Sequence, residues 1–117
     1  MFLDLNHQRL NVYISSRKLL VEWSRFAKQL PEEERYSMRL QIRRAALCVQ
    51  LNIAEGASRR SEIERKRFYE ISRGSVIEID AILDAAVDLN YVGLYDTTLL
   101  GIAIKNTFKL LSGLIKS

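Results

Sequence analysis

A single cysteine, a single proline and a single histidine occur among 117 residues, with only five glycines. The lone thiol, Cys48, closes no internal disulfide and suits a reducing compartment. One histidine (His7) and one cysteine fall short of the several ligands a metal site requires. No Walker loop, dinucleotide loop or nucleophile elbow occurs, and the Glu-x-x-His pattern of di-metal bundles is absent. The sequence is therefore read as non-enzymatic, with no catalytic residue, cofactor or metal. No stretch approaches the roughly 18 apolar residues of a membrane span. Asp4 and His7 stand where a leader would need an apolar run, so no signal peptide is expected. A cytoplasmic location without a membrane partner follows as the expectation.

The scarcity of breakers favours long helices, and no strand-like alternation is present. The expected fold is all-α, an antiparallel up-down four-helix bundle, as one domain over residues 1–117 with helices at about 6–29, 32–55, 61–89 and 95–115. Val12, Leu19, Trp23, Phe26 and Leu30 recur at helical spacing in the first segment. Pro31 is expected to stop that helix and open the next, with Glu32, Glu33 and Glu34 in the favoured first turn. Gly56 is expected to cap the second helix. Ser61, three residues before Glu64, has the capping-box spacing that starts the third. Residues 90–93, Asn-Tyr-Val-Gly, read as the turn into the fourth.

The second segment is informative. At 100° per residue, Met38, Ile42, Ala45, Ala46, Val49 and Ile53 cover one face, and Leu40, Leu47, Leu51 and Ala54 cover a nearly opposite one. A helix at the edge of a monomeric bundle needs one apolar stripe. Two stripes imply burial on two sides, either against the core and a second subunit or, as the alternative, as the most central helix of a single bundle. Between them runs a polar line of Gln41, Arg44, Cys48, Asn52 and Glu55. Polar groups beside two buried faces must be hydrogen-bonded. These residues, with Gly56 and with Arg73, Gly74, Ser75 and Glu78 of the third segment, are read as one structural polar network. Gly74 would allow close approach of another helix, and Glu78 would meet an arginine such as Arg44 or Arg73.

Charge is unevenly spread. Residues 1–34 balance five basic against five acidic side chains, residues 35–75 carry ten against four, and residues 76–104 carry five acids and no Lys or Arg. Arg35, Arg39 and Arg43 recur every fourth residue and line a third face of the second segment, and Arg59, Arg60, Arg65, Lys66 and Arg67 gather at the next helix start. These eight are the candidate nucleic-acid contacts, since clustered cations raise affinity for a polyanion. The competing reading is a structural or protein-interaction module, whose basic and acidic faces pair across subunits or with a protein partner.

The run Gln41-Ile-Arg-Arg-Ala-Ala-Leu-Cys-Val-Gln-Leu-Asn-Ile-Ala-Glu-Gly56 resembles the signature of the four-helix-bundle proteins encoded in intervening sequences of bacterial 23S ribosomal RNA genes. Arg67-Phe-Tyr-Glu-Ile-Ser-Arg-Gly-Ser-Val-Ile-Glu78 is similar to that family's second block, and the resemblance extends over about residues 10–115. It implies an up-down bundle assembled as a homopentamer. It also implies a distant relationship to the accessory protein of diversity-generating retroelements, a pentamer that binds nucleic acid and a reverse transcriptase. RNA is the partner it favours. Cys48 departs from the serine expected there, which puts one hydrogen bond of the network in question.

Overall fold

A backbone rich in helix formers and interrupted at few points folds into four helices, α1 (Asn11–Ala27), α2 (Met38–Ala57), α3 (Glu62–Asp88) and α4 (Thr98–Lys116). The computed structural model describes residues 2–117, and no strand occurs among them. Helices consecutive in the chain pack together, and α1 packs on α4 to close the bundle.

The expected helix ends need four corrections. The first helix starts later than residue 6, because Leu10 is extended (φ −72°, ψ 132°) and divides a 3₁₀ turn, Asn6–Arg9, from α1. It ends at Ala27, ahead of the backbone that Pro31 forces out of the helical region. The second helix does not open at Pro31. Glu32–Glu34 makes a single 3₁₀ turn, and α2 waits until Met38 while the chain reverses direction. Gly56 is not a cap, since α2 continues through it to Ala57. The glycine is buried against α3, and a Cβ there would lie 2.9 Å from the Cβ of Phe68 and 3.2 Å from the Arg65 carbonyl oxygen. Absence of a side chain thus lets two backbones approach. Ser61 does cap α3, accepting from the Glu64 N–H at 3.4 Å. Asn90 (φ 62°) and Gly93 (φ 56°) hold the left-handed backbone of the last turn. The Asp96 carboxylate then accepts from the hydroxyl (2.6 Å) and N–H (3.0 Å) of Thr98, which holds its pKa below the usual carboxylate range and starts α4.

Each helix sends one stripe inward. Leu19, Trp23 and Phe26 from α1 meet Ile42, Val49 and Ile53 from α2, Val76 and Ile79 from α3, and Leu100 and Leu111 from α4. Trp23 stacks on Phe26 at 5.4 Å between ring centres, and Tyr95 meets the Phe26 ring edge-on at 5.6 Å. Two buried hydrogen bonds tie helix pairs: Ser72 Oγ donates to the Val49 carbonyl at 2.7 Å, and Ser15 and Thr107 share one at 2.7 Å.

Two apolar faces remain uncovered. Leu40, Leu47 and Leu51 project from the outside of α2, with Leu51 61% exposed, and Ile71 and Ile77 project from α3. Across the bundle a shallow groove of about 820 Å³ between α1 and α4 is lined by Ile14, Val21, Leu99 and Ile102. The expectation that no stretch is apolar enough for a membrane is also corrected. α4, with 19 residues and a mean hydropathy of 1.3, is long and apolar enough by length and composition. It combines an inward stripe with the outward Leu99, Ile102 and Phe108. A helix packed into a bundle passes that same test, so the feature alone places nothing in a bilayer.

Gly56→Ala should lower the unfolding free energy by about 1–3 kcal/mol, the usual cost of overpacking a filled site. Urea denaturation followed by far-ultraviolet circular dichroism measures it, and an unchanged midpoint would contradict the close approach.

Candidate nucleic-acid interface

The polar line of α2 does not join α3 in a single network. Asn52 turns back on its own helix, donating to the Cys48 carbonyl at 2.8 Å and to Cys48 Sγ at 3.1 Å. The thiol therefore does accept a hydrogen bond. Glu55 pairs forward with Arg59 one turn on. Arg73 is on the far side of α3, where it donates to Ser112 Oγ at 3.3 Å and lies 6.0 Å from the centre of the Phe108 ring of α4. Local i,i+4 geometry claims Asn52 and Glu55, and the helical sweep of α3 carries Arg73 toward α4. Gln41, Arg44 and Glu78 are exposed, and their side chains make no hydrogen bond or ion pair with another described residue. Ser75 is buried, and Gly74 faces open space with nothing within 4 Å of where a Cβ would stand.

The eight candidate cations fall into two groups at opposite ends of α2, about 30 Å apart along a helix of this length. At the α2–α3 end most are engaged by the fold. Arg59 pairs with Glu55 and lies 5.0 Å from the Phe68 ring centre. Arg65 donates to the carbonyls of Arg59 (3.1 Å) and Arg60 (2.7 Å), closing the loop between the helices. Lys66 pairs with Glu62 at 3.0 Å and, through that contact, holds the Glu62 carboxyl below its usual range. Arg60 and Arg67 alone in this group have no partner among the described residues.

The α1–α2 end is a concavity. A surface cavity of about 530 Å³ is lined by Arg35, Arg39 and Arg43, joined by Lys28, Ser24 and Tyr36. Ala27, Leu40 and Ile42 supply its apolar wall. Arg39 is only partly free. It donates to the Leu30 carbonyl, lies 3.5 Å from Glu32, and keeps a buried Nε–H without an acceptor. Arg35 reaches Glu32 at 3.3 Å and stands 5.7 Å from the Tyr36 ring centre. The side chains of Lys28, just past the end of α1, and Arg43 of α2 have no partner among the described residues. Glu32 therefore offsets part of the charge of Arg35 and Arg39, and Lys28 and Arg43 carry the uncompensated part.

Lys28, Ser24 and Tyr36 were missed from sequence. Lys28 sits in the charge-neutral first block, so a segment count conceals it, and Tyr36 lies in a stretch expected to be helical. The usable signal was the short distance in sequence from Lys28 to Arg35 across a proline, which returns both to one end of the bundle. Among the described residues no group of three or more His, Cys, Asp or Glu is placed to hold a metal ion.

Residues 8–113 match the family model described as 23S rRNA-intervening sequence protein. No curated protein matches the chain.

Two of the three arginines of the concavity, Arg39 and Arg43, should separate by stability. Arg39→Ala removes the bond to the Leu30 carbonyl and should cost about 1 kcal/mol, while Arg43→Ala should stay within about 0.5 kcal/mol of the parent. Thermal and urea unfolding of both variants checks this, and equal losses would contradict the assigned contacts.

Proposed function

The chain belongs to the 23S rRNA-intervening sequence protein family, and from that premise we propose that it is a non-enzymatic, oligomeric nucleic-acid-binding protein whose partner is RNA. The observation that carries this reading is the convergence of Lys28, Arg35, Arg39 and Arg43 on one concavity, with the Lys28 and Arg43 side chains unpaired among the described residues. Unpaired cations brought together by two helices release counterions from a phosphate backbone, whereas cations already bound to carboxylates contribute little. Arg60 and Arg67 at the other end offer a second, weaker contact. The working compartment in this reading is the cytoplasm.

Assembly supports the same function, because a ring repeats each cationic site and multiplies affinity without new contacts. The two uncovered apolar faces stand on opposite sides of the bundle, Leu40, Leu47 and Leu51 on one and Ile14, Leu99 and Ile102 on the other. Two unlike faces are what a head-to-tail ring uses, and the pentamer implied by the sequence resemblance is such a ring. The outward Gly74 fits a neighbour's approach, since in a lone chain it only weakens α3. A second reading rests on the same apolar stripe of α2: a protein other than a copy covers it, and the bundle is an interaction module.

In a mobility-shift titration with a structured RNA, the double charge reversal Lys28→Glu with Arg43→Glu should weaken binding more than tenfold. It should also flatten the dependence of log affinity on log salt by roughly 1.4 to 1.8, the loss of two phosphate contacts. RNA that fails to bind, or binds the variant as well, sinks the reading. Light scattering should give a mass several times that of one chain, and Leu47→Glu with Leu51→Glu should dissociate the assembly. A monomeric parent protein would refute the ring and leave the interaction module, tested by recovery of a protein without nucleic acid.

A further inference from the structure

The cavity at the α1–α2 end is more specific than a patch of charge. Its lining combines a cationic wall, from Lys28, Arg35 and Arg43, with an apolar wall from Ala27, Leu40 and Ile42. Tyr36 stands on its rim with 83% of its surface exposed, and Arg35 is placed over one face of the ring. Its volume of about 530 Å³ lies within the range of small-ligand sites, about 300–1,000 Å³. A bare phosphate would meet the cations and leave the tyrosine and apolar wall wet. An apolar ligand would leave Lys28 and Arg43 unmatched. A phosphate joined to a flat ring satisfies both halves, because aromatic side chains stack on nucleobases without regard to their identity.

We propose that this cavity is a nucleotide pocket, in which Lys28 and Arg43 hold the phosphate, assisted by Arg35, and Tyr36 stacks on the base. The inference rests on the nucleic-acid reading and narrows it to a one-nucleotide subsite. The nucleotide comes either free or as one unit of an unpaired strand, and the recognition chemistry is shared. Glu32 sits beside Arg35 and Arg39 as a built-in competitor of the phosphate, 3.3 Å and 3.5 Å from them. Its removal should tighten binding, which a purely structural ion pair would not produce.

Equilibrium dialysis of the full-length protein against radiolabelled AMP, ribose 5-phosphate and inorganic phosphate tests the pocket. AMP should bind about tenfold more tightly than ribose 5-phosphate, the contribution of one stacked base. Tyr36→Leu should erase that advantage and leave ribose 5-phosphate unaffected. Arg43→Ala should weaken both ligands, and Glu32→Gln should tighten both. All three side chains are exposed, so circular dichroism should report an unchanged fold. AMP binding no tighter than ribose 5-phosphate, or insensitive to Tyr36→Leu, overturns the pocket. If structured RNA still binds in that event, the wider reading survives alone. AMP binding that depends on Tyr36 without any RNA binding supports a free-nucleotide pocket and removes the RNA reading. Displacement of AMP by a five-residue oligoadenylate identifies a strand as the source.

Discussion

The fold turns on how closely α2 can lie against α3. At Gly56 the two backbones approach to a distance that any side chain would obstruct, 2.9 Å from a would-be Cβ to Phe68. That approach fixes the hairpin at its closed end. Two turns lower, the buried Ser72 hydroxyl is within reach of the Val49 carbonyl, a bond that satisfies a polar group in an otherwise apolar seam. Arg59, one turn beyond the glycine, lies over Phe68, and Arg65 folds back onto the loop carbonyls. These arginines are consumed in securing the contact. The basic cluster at this end of the chain is thus mostly a consequence of the hairpin's geometry and contributes only Arg60 and Arg67 to the free surface.

Periodicity made the inward stripe of α2 legible: of the residues read as its core face, Ile42, Ala45, Ala46, Val49 and Ile53 are buried, and Met38 is half-buried against the core. The outer leucines were legible for the same reason and are uncovered in the single chain. Ends of helices were less legible. Pro31 permits a helix start, but whether one occurs there depends on the path back to the bundle, which no local pattern encodes. Gly56 carried two compatible meanings, cap and close approach, and only the position of Phe68 separates them. The polar network failed for a related reason. Asn52 finds its partner within α2 and Glu55 finds Arg59 just past its end, and residues four apart in sequence outcompete those on a neighbouring helix.

Charge in this protein has two roles that sequence composition merges. Arg39, Arg59 and Arg65 bind carbonyls or carboxylates around the loops, and Lys66 pairs with Glu62 within α3. The side chains of Lys28, Arg43, Arg60 and Arg67 have no such partner among the described residues. The site therefore emerges by subtraction, from cations the fold leaves idle. It also recruits a residue from the neutral first segment, because antiparallel packing returns the end of α1 to the start of α2.

The paired hydroxyls of Ser15 and Thr107 have a consequence in time as well as in space. Their bond joins positions 92 apart in the chain, whereas Ser72 and Val49 are separated by 23. Closing the longer loop costs about 1.2 kcal/mol more chain entropy, two doublings of loop length. By that measure the middle hairpin closes at a lower entropic cost than the seam between the first and last helices. A nascent chain emerging from the ribosome holds α1 without its partner until α4 is made. For that interval Leu19, Trp23 and Phe26 have only α2 and α3 to shelter them, and the final helix acts as the latch that ends the exposure.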